Sequence, residues 1–360
     1  MIIENLKYAF NKEGMLPVFL ILGMTYRCNA KCSFCFVWKE LNNKELVEKE
    51  LKIEEIEKIS KNLNHVSWLL LTGGEPFLEP RKVVESCKIF YRQNHTRNIT
   101  IPTNAILTPL VTRSVKEILD SCPELSLTIT LSLDGVGKEH DRLRGFDGNF
   151  ESFLKTYNQL VEVRKEYPRF SINLNTVVSN QSIKDVPKLI DYVKNNLEPN
   201  YHSFEMLRGD PMDHDLTHPP LNEFRKLLDT TLKDYWKSFP FYNTRYSRFI
   251  KASKIFAREK EIEILEKKEQ VVPCQAGKVT GVIRSDGLVQ HCELREPVGN
   301  IRDYDYDFSK LWFDTKSNKL RKSIENKECY CSHSCFVSSS ILFNPAYYGK
   351  LLEYAVKYSS

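Results

Sequence analysis

Six apolar runs of strand length, separated by longer charged and amphipathic stretches, restrict the fold of this chain more than any other feature. They read VFLILGM at 18 to 24, WLLLTG at 68 to 73, NITIPTN at 98 to 104, LTITLSLDG at 127 to 135, FSINLNTVVSN at 170 to 180 and HSFEML at 202 to 207. Between them, segments such as IEEIEKISKNL at 53 to 63 and VPKLIDYVKNNL at 186 to 197 place apolar residues three and four apart. That is the period of a helix packed on one face of a sheet. Alternation of this kind predicts an α/β fold with a parallel sheet of six buried strands. Right-handed crossovers would curl it into a partial (β/α)6 barrel, with functional groups at the C-terminal ends of the strands.

The barrel reading covers residues 1 to 220. Residues 221 to 270 are rich in Lys, Glu and aromatics, contain no glycine, and read as a helical bridge around a break at Phe239-Pro240-Phe241. The charge run REKEIEILEKKEQ at 258 to 270 is most simply a solvated helix face. Residues 271 to 345 hold five of the ten cysteines and mark a second, small domain, and residues 346 to 360 read as a C-terminal helix. The 52 basic and 47 acidic residues are spread without a basic block, so charge does not argue for nucleic acid. The first residues, MIIENLKYAF, carry acid and base early, and the apolar stretch Leu16 to Met24 is too short for a membrane span, so no export or transmembrane segment is expected. Cysteines grouped far apart in a chain of this length point to metal in a reducing cytoplasm rather than to a disulfide framework.

Cys28, Cys32 and Cys35 form C-x3-C-x2-C just after the first strand. Three thiolates on a four-iron cluster leave one iron open to a substrate or cofactor. Zinc competes for such ligands, but a structural zinc wants a fourth, and none follows at finger-like spacing. The second strand ends in Thr72-Gly73-Gly74-Glu75-Pro76. Its glycines permit close backbone approach to a ligand, and Glu75 can accept hydrogen bonds from a cationic amine.

C-x3-C-x2-C followed some 40 residues later by GGEP resembles the radical S-adenosylmethionine (SAM) superfamily. The resemblance implies a TIM-like partial barrel and a [4Fe-4S] cluster whose free iron is chelated by SAM. It also implies that Phe34, before the third cysteine, lies near the adenine, and that Gly73, Gly74 and Glu75 meet the methionine amine. LSLDGVGKEHDRLRG at 131 to 145 resembles the subfamily with an auxiliary-cluster domain, which includes peptide-modifying and anaerobic sulfatase-maturating enzymes. There Ser132 and Arg144 would take places at the ribose and carboxylate of SAM. From the residues alone, Asp134 could make an Asx turn and Arg144 a surface ion pair. Asn104 is a further candidate for lining the site.

Cys274 and Cys292 flank Gly287 as C-x12-G-x4-C, and Cys329, Cys331 and Cys335 follow. VTGVIRSDGLVQHC between the first two reads as a β-hairpin turning at Ser285-Asp286-Gly287. The layout resembles a SPASM/twitch auxiliary domain, closer to the shorter twitch form, and implies one auxiliary [4Fe-4S] cluster. Of its five candidates, Cys274, Cys292, Cys331 and Cys335 are the preferred ligands and Cys329 the least certain. Four-cysteine zinc remains open on spacing. His291 and His333 read as hydrogen-bonding neighbours, and Cys87 and Cys122 as small buried hydrophobes.

The family implies a one-electron reductant such as a flavodoxin or ferredoxin, and a 5′-deoxyadenosyl radical that abstracts hydrogen from an unactivated carbon. The 27 residues before Cys28 are too few for an N-terminal peptide-recognition domain. The expected substrate is therefore a small molecule, sugar or lipid-linked compound undergoing net oxidation or bond formation, ahead of a peptide or protein. Glu205 and Arg208 lie over the substrate space or form a stabilising ion pair. A non-catalytic zinc or iron-sulfur scaffold would explain the cysteines but not the motifs at the strand ends.

Overall fold

The computed structural model describes residues 14 to 239 and 245 to 358, apart from the side chains of 245 to 247. The opening MIIENLKYAF and the Pro240-Phe241 part of the proposed break lie outside the described residues. All six expected strands form: β1 (Phe19–Gly23), β2 (Trp68–Thr72), β3 (Asn98–Thr103), β4 (Ser126–Ser132), β5 (Phe170–Val178) and β6 (Tyr201–Met206). They pair in parallel in sequence order, as a partial barrel requires. Helices α1 (Ile53–Lys61), α2 (Pro80–Gln93), α3 (Thr108–Ser121), α4 (Lys138–Arg144), α5 (Asn149–Glu166) and α6 (Val186–Asn196) supply the crossovers.

The register explains which residues meet the helices. Leu20 pairs with Leu69, Leu69 with Ile99, Ile99 with Leu127 and Leu127 with Phe170, so one fully buried apolar row crosses five strands. It joins Ile56, Ile59, Val83, Phe90, Val111 and Val115 of the helices in one core. The alternate positions carry polar groups: Ser132 pairs with Asn175 and Asn175 with Ser203. Because side chains alternate across a strand, that row faces the other side of the sheet. The strands are therefore apolar toward the helices, and toward a cavity β3 to β6 present mainly polar groups while β1 and β2 present Phe19, Ile21, Trp68 and Leu70.

The hairpin predicted around Gly287 is present as β7 (Thr280–Ile283) and β8 (Leu288–Gln290), with β9 (Gly299–Asn300) added to it. Gly287 takes φ +86°, the left-handed turn conformation that glycine adopts without strain. The hairpin is not a separate layer, since β7 runs parallel beside β1 and extends the barrel sheet to nine strands.

The bridge is helical, with Leu221–Leu227 and Lys233–Lys237 joined through a π-turn at Leu228–Leu232, followed by α7 (Arg245–Lys267). The reading of residues 258 to 270 as a solvated face needs correction. Arg258, Glu261, Ile262 and Ile264 are buried, and Arg258 pairs with Glu261 at 2.8 Å. Helices α8 (Ser334–Leu342) and α9 (Tyr348–Lys357) follow, and Phe256 of α7 meets Tyr354 of α9 edge-on at 5.4 Å. Among the described residues no helix is long and apolar enough to cross a membrane.

Candidate active site

The loop carrying Cys28, Cys32 and Cys35 is gripped by its neighbours through backbone contacts. Asn42 accepts from the Cys28 N–H and donates to the Cys28 carbonyl, both at 3.0 Å. It does so from φ +59°, a conformation Asn tolerates better than most residues. Glu50 accepts from the Thr25 hydroxyl and the Tyr26 N–H at 2.7 Å each, and is itself paired with buried Lys82. From β2, the Gly74 and Glu75 N–H groups donate to the Thr25 and Arg27 carbonyls at 2.8 Å. A Cβ on Gly74 would sit 2.1 Å from the Arg27 oxygen, so this glycine permits close approach to the cysteine loop itself. From the end of α4, the Arg144 and Leu143 carbonyls accept from the Lys31 and Ser33 N–H groups at 3.1 Å.

Glu75 is buried, and its carboxylate already accepts from Phe77 N–H at 3.1 Å, the Thr103 hydroxyl at 2.9 Å and Asn104 N–H at 2.8 Å. Burial pushes its pKa up to about 7 against these donors and the Arg144 charge. A carboxylate has about four acceptor positions, and of the three filled here those from Thr103 and Asn104 tie the end of β2 to the end of β3. The Asn104 side chain donates to Asn29 of the cysteine loop at 2.8 Å. Arg144 is no surface ion pair: buried, it meets buried Asp134 at 2.8 Å, donates to Cys32 Sγ at 3.2 Å and stands 5.3 Å from the centre of the Phe34 ring. Asp134 accepts from Val177 N–H at 2.8 Å, a cross-strand bond rather than an Asx turn.

The three thiols are close enough to sense one another. Burial pushes Cys28 up to about 11 and Cys35 up to about 12, with further rises from the charge of Cys32 on both and of Cys28 on Cys35. Bare thiolates are disfavoured there, which suits a site where bound iron supplies the compensating charge. A zinc draws thiolates to about 2.3 Å of one point, whereas a four-iron cluster takes one at each corner. The donor set fits the cluster.

Beside this loop the concave face of the sheet encloses a cavity of about 810 Å³. Gly73 and Ser132 line it, while Phe34, Gly74, Glu75, Asn104 and Arg144 pack around the cysteine loop outside its lining. Glu205 and Arg208 line the cavity and also pair with each other at 2.6 Å, so the expected ion pair is present. Sequence reading missed Lys254 and Arg258, which reach the cavity with Ile250 and Ser253 from one face of α7. The spacing of three and four was the available signal. It also missed Asn42 and Glu50, whose contacts depend on the path of the loop.

Of the second cysteine group, Cys335 lines the cavity. Gln270 accepts from Cys274 N–H at 3.1 Å and donates to the Cys329 carbonyl at 3.4 Å, holding the two segments together. Cys292 Sγ accepts from Leu294 N–H at 3.4 Å. His291 bonds Ser317 at 2.8 Å and His333 bonds Glu293 at 2.6 Å, as hydrogen-bonding neighbours. Cys87 and Cys122 are buried away from both groups.

Residues 22 to 193 match the family model of the radical SAM superfamily. The chain belongs to the radical SAM superfamily. It is similar to the Fe-coproporphyrin III synthase of Methanosarcina barkeri, 25% identical over 339 residues that cover 89% of this chain and 78% of that protein. The sporulation killing factor maturation protein SkfB of Bacillus subtilis is 23% identical over 332 residues, 91% of this chain and 72% of its own length. A solved structure of native anSMEcpe with bound AdoMet and the Cp18Cys peptide shares the fold, with a TM-score of 0.59 at 18% identity over 95% of this chain and 96% of that one. This radical SAM protein is thus an enzyme that works with SAM and an iron-sulfur cluster.

Proposed function

We propose that the chain cleaves SAM reductively at a [4Fe-4S] cluster held by Cys28, Cys32 and Cys35. The 5′-deoxyadenosyl radical then abstracts hydrogen from a small-molecule, sugar or lipid-linked substrate, with net oxidation or bond formation. The observation that carries the substrate reading is the cavity. At about 810 Å³ it falls within the roughly 300–1,000 Å³ of small-molecule sites, and SAM must share it. When bound and reduced, the cluster supplies the electron that breaks the C5′–S bond of SAM. The protein's own groups position the partners. Asn42 and the Gly73-Gly74-Glu75 segment fix the cysteine loop, and Gly73 and Ser132 face SAM from the cavity wall. Phe34, whose ring Arg144 meets at 5.3 Å, would offer an apolar surface to the adenine. Glu75 and Asn104 act one step back, by holding that loop to β3.

In this reading residues 271 to 345 carry a second [4Fe-4S] cluster, and a flavodoxin or ferredoxin in a reducing cytoplasm delivers the electron. SkfB, named as a maturation protein, favours a second reading in which the substrate is a peptide. The test is substrate-dependent turnover. Protein reconstituted without oxygen is supplied with SAM, dithionite and fractionated extract, and 5′-deoxyadenosine release is followed. Acceleration by a protease-resistant low-mass fraction supports the small-molecule reading. Acceleration that protease treatment removes supports the peptide.

A further inference from the structure

The cavity does not stop at the strand ends beside the cysteine loop. Ser126, Thr128, Thr130 and Ser132 all line it, from the first residue of β4 to the last. At a rise of roughly 3.3 Å per residue that is a length of about 20 Å. On β1 and β2 the lining likewise runs from Phe19 to Gly23 and from Trp68 to Thr72. A closed (β/α)8 barrel fills such a lumen with layers of bulky side chains. Here the level of Leu70, Thr100 and Thr128, which pair across β2, β3 and β4, carries two threonines, and the lumen stays open.

Its two ends differ in chemistry. At the N-terminal ends of the strands Val18, Val279 and Phe343 form an apolar cluster set apart from the main core, with Leu342 packed on it. Val18, Leu342 and Phe343 line the cavity there beside Phe19 and Trp68, whose rings stand 5.7 Å apart. Trp68 and Asn98 at this depth donate within the chain, to the Thr100 hydroxyl at 3.0 Å and the Ser67 carbonyl at 3.1 Å. Lys254 on the α7 wall holds its ammonium 4.4 Å from the centre of the Tyr201 ring. Toward the cysteine loop the lining turns polar, with Ser132, Asn175, Ser203 and the Glu205–Arg208 pair. Arg208 Nε is buried without a hydrogen-bond partner among the described residues, as is Asn173 Oδ1 on the level of Thr130. An unpaired buried polar atom is costly, so these two are the atoms that a ligand's polar end would satisfy.

Resting on the small-molecule reading above, we propose that the substrate is an amphipathic molecule with an extended apolar chain. Its polar end lies toward the cysteine loop, at Arg208 and Asn173, and its chain runs down the lumen to Val18, Phe19, Trp68 and Phe343. Such a chain takes the apolar surface of the deep end out of water, which is worth about fourfold in affinity for each CH2 buried. A polar body of the same volume would leave that end without a partner. Hydrogen abstraction beside Gly73 and Ser132 then falls on a carbon near the polar end, and the chain serves for recognition.

The test is calorimetric binding of 1-butanol, 1-hexanol, 1-octanol and 1-decanol to the full chain, reconstituted without oxygen and supplied with SAM. In the parent, affinity should rise about fourfold for each added CH2. Thr128→Phe, which fills the middle of the lumen from β4, should flatten that rise, with iron content and unfolding midpoint checking that the variant is folded. Should it not fold, Leu70→Phe closes the same level from β2 and should flatten the rise in its place. An affinity in the parent that ignores chain length overturns the inference, and so does a rise that the folded variant keeps in full. Failure of the reading beneath it looks different. Extract activation that protease removes overturns the small-molecule reading and this inference with it, whereas a flat alkanol series beside activation by a low-mass fraction overturns this inference alone.

Discussion

At Gly74 two loops of the site pass so close that a single methyl group would reach 2.1 Å from the Arg27 carbonyl. Gly74→Ala should therefore push the cysteine loop aside, at a cost of about 3 kcal/mol, in the upper range for overpacking. Thermal unfolding and iron content of the reconstituted protein measure it, and an unchanged midpoint with full iron would refute the contact. Asn42 is exposed and works through two hydrogen bonds, so Asn42→Ala should cost only about 1 kcal/mol of stability while quickening loss of iron to a chelator. The cysteines and GGEP were readable because their chemistry is carried by residue type and spacing. Asn42 was not, because an Asn seven residues beyond Cys35 says nothing until the loop's return path is known. Sequence shows where the GGEP backbone can approach closely, and the structure adds that at Gly74 the neighbour is the Arg27 carbonyl of the cysteine loop.

Among the elements, the six barrel strands and their crossover helices were legible because each repeats a local period. The docking of the hairpin β7–β8 on the edge of β1 was not, because edge pairing uses backbone groups that every residue carries. A side-chain clamp fastens this part of the chain to α1. Arg302 meets Glu55 of α1 with Nε to Oε1 at 2.6 Å and a second bond at 3.1 Å, and the Tyr306 hydroxyl adds a third at 2.9 Å. Burial opposes ionisation of Glu55, but the bonds from Arg302, Lys52 N–H and Tyr306 prevail and hold its pKa down at about 2, below the usual 4.5. A depressed carboxylate contributes stability above its unfolded pKa and loses it as pH falls through the folded value. Glu55→Gln should thus lower stability by about 1.5–3 kcal/mol at pH 7, as expected for charge-assisted bonds. The gap between variant and parent should close as pH falls from about 4.5 toward 2. Denaturant midpoints across that range check it, and a gap independent of pH would contradict it.

For the whole molecule, one sheet serves two environments. Its apolar row seals the helices onto the barrel, and Ser132, Asn175 and Ser203 of the opposite face line a cavity that Gly73 and Cys335 also line. The alternation in LTITLS was in the sequence, but read as apolar runs the strands concealed it. The far wall was hidden more deeply, because Lys254 and Arg258 lie in a charged helix whose inward face emerges only once it packs on the barrel. What the account rests on most is that radical formation begins at Cys28, Cys32 and Cys35. The direct measurement is 5′-deoxyadenosine formed from SAM and dithionite by the anaerobically reconstituted protein and by its Cys32→Ala variant, with iron counted in both. The account predicts formation by the parent and none by the variant, which should keep about half the iron. Formation by the variant at the parent's rate would contradict it.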